Sequence, residues 1–197
     1  MSAMLLVAWL QVAYYPTSGT PVMAAERIVT YDVAGTTTTE LWQDIARHGP
    51  TDPASGDHYA GDLRWDLHWD LHWNDKVSVS PNECHLTSID VTIETTMTIP
   101  RWTNPVKASD ALQVAWDVFL SRLKLHESGH RANAVKAAQA VREAIAGAAG
   151  QDANCSTLEA RTNAAANQAV DHWRKVDQDY DASTRHGITQ GAVLEEP

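Results

Sequence analysis

The chain has 197 residues, 44% of them hydrophobic, which is enough to bury the core of one domain and too little for two generous ones. Its 25 acidic against 15 basic residues leave a formal charge of −10. A balance of that sign repels phosphate backbones and anionic lipid, and argues against nucleic acid as a partner.

No charged residue precedes Glu26. Met4 to Tyr15 is mostly apolar, is broken by Pro16, Ser18 and Gly19, and is too short to span a bilayer. The small-residue stretch Val22 to Ala25 follows, so residues 1–25 read as a secretory signal peptide cleaved near Ala24 or Ala25, although its start lacks the usual Lys or Arg. A single domain over 26–197, with no stable membrane insertion after cleavage, is the expectation. In an oxidising compartment Cys84 and Cys155 are expected to pair.

From Glu26 to about Pro105 the chain is strand-like. Ile28 to Val33 predicts a first strand, Thr39 to Arg47 a short helix ending near Gly49 and Pro50, Tyr59 to Trp73 a strand or hairpin arm, and Cys84 to Ile99 a long strand. After Pro105 the period changes. Ser109 is placed to cap a helix through Leu112, Trp116, Phe119, Leu123, Ala134, Val141 and Ile145 that stops between Gly147 and Gly150, and a second, alanine-rich helix is predicted from about Ser156 to Gln178.

The stretch WDLHWDLHW repeats one tetrad. Trp65, Leu67, Trp69, Leu71 and Trp73 point one way along a strand, and Asp66, His68, Asp70 and His72 the other. At strand rise His68 and His72 stand about 13 Å apart, too far to share an ion. The tetrad is therefore read as architecture, with its Trp/Leu face packed under the helices and its Asp/His face toward solvent or a groove.

Inside the first long helix, LHESGH places His126, Glu127 and His130 in the H-E-x-x-H pattern. Histidines four residues apart lie one turn apart on one face, where both imidazoles reach a single tetrahedral Zn2+. Glu127 falls beside them, able to take a proton from water that the ion has acidified and to pass it to a leaving amine. Nine His and nine Glu would place this pattern by chance in only about 2% of shuffled chains. Two imidazoles and a carboxylate buried without a common partner would moreover be costly, so the metal reading is preferred over core histidines.

A catalytic zinc needs a third protein donor. The first helix runs roughly 26 Å from His130 to its break, and an antiparallel second helix regains that level near Trp173. The segment DYDASTRHG is then delivered beside the pair, making His186 the favoured third ligand and His172 the runner-up. Glu143 and Glu159 lie roughly 20 Å away along the axis. Tyr180, from the same returning segment, or Arg185, is a candidate to steady an oxyanion.

The ordered set YDVAGTTTTELWQDIARHGP, the Trp-rich strand, IPRWTNP, HESGH and YDASTRHG resembles a bacterial family of predicted secreted Zn-dependent proteases, domain of unknown function nine-two-two. The resemblance covers nearly all of the chain after Glu26. It implies an exported single-domain metallopeptidase with His126 and His130 as ligands, Glu127 as base and His186 as third ligand. The resulting expectation is an α+β, zincin-like domain, a small twisted sheet packed on a long helix hairpin, that hydrolyses peptide bonds of a peptide or protein substrate. Two other readings stand beside it: a zinc amidase acting on cell-wall peptides, and an exported zinc-binding module without catalysis.

Overall fold

The computed structural model describes residues 11–15, 22–52, 56–74, 84–150 and 154–196. Most of the leader expected over residues 1–25 lies outside them. Within it, Gln11–Tyr15 forms strand β1, and Val22–Val33 forms β2, which starts upstream of the expected cleavage point. Helix α1 (Thr38–His48), strands β3 (Asp62–Trp73) and β4 (Leu86–Trp102), and helices α2 (Asp110–Ala148) and α3 (Cys155–Thr184) follow. The domain is α+β: a small sheet of three long strands, β2, β4 and β3, with the short β1 added at one edge, and three helices. β2 pairs parallel to β4, β3 antiparallel to β4, and β1 antiparallel to β2.

The sheet has one covered face because its strands alternate. Val91, Ile93, Thr95, Met97 and Ile99 of β4 are buried, and Trp65, Leu67, Trp69 and Leu71 of β3 pack from the same side onto Val141, Ile145, Ala166 and Val170 of the two long helices. Asp66, His68, Asp70 and His72 are exposed, as a strand of period two requires. His72 bonds Asp90 across the strand pair, and among the described residues this row forms no metal-binding group. Alanines at 134 and 138 let α2 lie close against Ala24, Val91 and Ile93.

A second part of the core joins the start of α2 (Leu112, Trp116, Phe119, Leu123) to Leu41 and Ile45 of α1 and to Ala192 and Leu194 of the C-terminal tail. Burying each large side chain there contributes about 1.5–3 kcal/mol. The caps follow local chemistry: Thr37 accepts from the Glu40 amide at the head of α1, and Ser109 from the Leu112 amide at the head of α2.

α2 and α3 form the antiparallel hairpin, since contacts run from Arg161 bonding the Ala148 carbonyl at one end to Asp177 bonding His130 at the other. Cys84 and Cys155 are joined, so the first residue of α3 is tied to the segment leading into β4. No helix among the described residues is long and apolar enough to cross a membrane. α3 differs from its expected length. It continues to Thr184, six residues past Gln178, and ends where Arg185 and His186 (both φ 51) and Gly187 (φ 84) turn left-handed. Tyr180 and Asp181 are consequently helical residues rather than parts of a trailing loop.

Candidate metal centre

His126, Glu127 and His130 occupy one turn of α2, all nearly inaccessible to solvent. Opposite them, α3 presents Asp177, Tyr180, Asp181 and Thr184, whose spacing keeps them on one helical face. His126 and His130, four apart, thus meet Asp177 and Asp181, four apart on a helix running the other way. Gly129 makes room for the Tyr180 phenol: a Cβ there would stand 2.1 Å from its hydroxyl, so a side chain would force that ring out of place. Gly187 does the same on the far side of His126, where a Cβ would meet the ring at 3.0 Å and φ is +84°.

Three donor atoms converge. His126 Nε2 and His130 Nε2 are 3.3 Å apart, and Asp181 Oδ1 lies 3.1 Å from each. These residues form the one candidate metal-binding group among the described residues. Donors about 2.0–2.1 Å from a tetrahedral zinc stand roughly 3.3 Å from one another, so the triangle fits such an ion. The outer nitrogens set the tautomers. His130 Nδ1 is 2.9 Å from Asp177 Oδ1, an oxygen that accepts a proton carried on Nδ1, and His126 Nδ1 is 3.0 Å from Gln190 Oε1. Both Nε2 atoms therefore face each other and the Asp181 oxygen, an arrangement that calls for a proton or a metal ion between them.

A proton on His130 can take the place of the ion. Burial works against charge on His130, yet hydrogen bonds to Asp177 and Asp181 push its pKa up to about 10. Burial also opposes ionisation of Asp181, but its bonds to His126 and His130 hold it well below the usual carboxylate range. Glu127 is the odd member. Its Oε2 is buried with no hydrogen-bond partner among the described residues, and its Oε1 fills the space that a side chain at Gly61 would need. Desolvation raises its pKa to about 7, against the opposing pull of His126 and His130 and with help from Asp62 and Asp181.

Glu127, both imidazoles and Asp181 line a cleft of about 680 Å³ whose walls include Leu123, Tyr59, Arg64, Arg185 and His186. Of the residues expected at the site, His126, Glu127 and His130 are brought together. His186, expected as third donor, sits one layer out: its Nδ1 is 3.4 Å from Asp181 Oδ1, and its ring stacks on Tyr59 at 4.4 Å. The physical reason is the longer α3, which carries Asp181 to the imidazole pair and leaves His186 in the left-handed turn beyond. Tyr180 donates to the His126 carbonyl and bonds Gln190, and it does not line the cleft, so its hydroxyl braces the hairpin. His172 is exposed near Trp173, away from the group, and Arg185 reaches the cleft wall.

Asp181, Asp177 and Gln190 went unrecognised in the sequence. A signal for the first two was present, since D-x-x-x-D near the end of one helix mirrors H-x-x-x-H in the other. Gln190 had none, because it arrives on an irregular tail.

An α+β domain whose helix hairpin holds a buried two-histidine, one-carboxylate group in a cleft defines the class: a protein with a candidate metal centre. The family described as "Bacterial protein of unknown function (DUF922)" matches residues 28–187, and the chain belongs to it. No curated protein and no solved structure matches the chain.

Proposed function

We propose that the chain is an exported zinc-dependent peptidase, with His126, His130 and Asp181 holding the ion and Glu127 acting as general base. The observation that carries this reading is the triangle of donors with an unpartnered buried carboxylate beside it. Nitrogen and carboxylate donors in a set of three suit zinc with a position left open, and a bound zinc acidifies water and polarises a carbonyl. Glu127 takes the proton of the attacking water through an oxygen that no protein group occupies, and returns it to the leaving amine. Asp177 and Gln190 hold the imidazoles in the tautomer that ligation needs. The disulfide supports export, since such bonds persist in oxidising compartments.

The test is zinc content of the purified chain after dialysis, wild type beside Asp181→Ala, followed by hydrolysis of unfolded protein and of cell-wall peptides by the loaded form. One zinc per wild-type chain, lost in the variant, with cleavage of the protein substrate, is the expected result. A wild-type chain that retains no zinc ends the proposal, and cleavage confined to cell-wall peptides reassigns the substrate.

A further inference from the structure

The tryptophan repeat of β3 has no part in the chemistry so far, yet one of its indoles reaches the centre. Trp65 Nε1 donates to Asp177 Oδ2 at 3.2 Å, while Oδ1 of the same carboxylate is 2.9 Å from His130 Nδ1 and 3.0 Å from Asn133 Nδ2. Both oxygens are thus engaged, in a side chain only 15% exposed. A carboxylate held by one bond alone swings about its own torsions. Fixed by an indole from the sheet and an amide from α2, it presents one oxygen to His130 in one direction.

Trp69 supplies the comparison. Four residues on, on the same face of the same strand, its Nε1 donates to Asn163 Oδ1 of α3 at 2.8 Å. The two bonds match in donor, strand and receiving helix. One ends on the carboxylate that orients a ligand, and the other ends about 21 Å down the helix, where nothing of the centre lies.

We propose that Trp65 is a positioning residue of the metal centre: together with Asn133 it clamps Asp177, and the clamped carboxylate fixes the ring and tautomer of His130. The idea rests on the reading of His126, His130 and Asp181 as a metal site. Asp177, one hydrogen bond from the ligand, belongs to the groups that set metal affinity by about 10- to 100-fold, and Trp65 acts through it.

The test measures zinc dissociation constants of the full chain by competition with a chromophoric chelator, for wild type, Trp65→Phe, Trp69→Phe and Asn133→Ala. Thermal unfolding of each metal-free form and the visible spectrum of each cobalt(II) form accompany it. Trp65→Phe removes the N–H donor with part of the ring's packing and is expected to weaken zinc by about 10-fold and alter the cobalt bands, while Trp69→Phe, with the same loss of ring, stays within about twofold of wild type at a similar loss of thermal stability. Equal affinities in the two tryptophan variants overturn the proposal, because a merely structural indole would act alike at both positions. Should Trp65→Phe fail to fold, Asn133→Ala decides: weaker zinc supports the clamp, and unchanged zinc overturns it. A wild-type chain that binds no zinc is a different result, for it removes the metal site itself.

Discussion

The two ends of the α2–α3 hairpin are built from the same helices at the same depth, and they hold opposite contents. At the far end Val141, Ile145, Leu158 and Ala166 are fully buried, Arg161 covers the Ala148 carbonyl, and the disulfide ties α3 to the sheet. At the near end the positions facing α3 and the cleft are His126, Glu127 and His130, with Asp177 and Asp181 across from them. The far end stabilises the fold by apolar packing and the disulfide. The near end does the reverse: an unsatisfied buried oxygen such as Glu127 Oε2 costs about 1–3 kcal/mol. Polar groups kept at such a cost, in a cleft, are the basis on which the site is proposed as functional.

The sharpest way to test that contrast is Glu127→Gln. Turnover of the loaded chain is expected to fall by about 10³-fold or more, equivalent to roughly 4 kcal/mol of barrier, while zinc content holds and the metal-free chain melts no lower. Activity that survives in the glutamine variant would strip Glu127 of its role as base.

The far end should respond in stability and not in metal. Replacing both Cys84 and Cys155 by Ser releases a loop of 71 residues and is expected to cost about 4 kcal/mol by loop entropy, read by denaturant unfolding. Leu158→Ala, which hollows a fully buried position, is expected to cost about 3 kcal/mol, again with unchanged zinc affinity in the folded chain. Zinc lost in either variant while the fold persists would show that the two ends are coupled and the division is false.

The smallest effect is expected from His186→Ala. Its side chain is 47% exposed and outside the donor triangle, so stability should move by less than about 1 kcal/mol and zinc content should stay with wild type, unlike Asp181→Ala. Zinc missing from the His186 variant would return that residue to the position of third donor.

Sequence reading located the helical histidine pair because i, i+4 spacing on a periodic apolar helix needs no tertiary knowledge. It located the alternation of the tryptophan strand for the same reason, and the cysteine pairing from composition and compartment. What it could not read was the length of α3. The DYDAST segment has polar residues on every side, so its helical phase shows only against the partner helix, and ending it at Gln178 sent Asp181 into a supposed loop. Gln190 is beyond any local rule, since its contact with His126 spans 64 residues and depends on how the tail folds back.

Two of the three donors are neighbours in one helix, and the third stands 51 residues beyond His130. Any cation gripped by all three therefore binds the closed hairpin and not the open chain, and mass action converts its free concentration into folding equilibrium. At one hundred times the dissociation constant this linkage adds about 2.7 kcal/mol. With the proposed metal bound there, the melting point of this domain becomes a gauge of how much metal its surroundings supply.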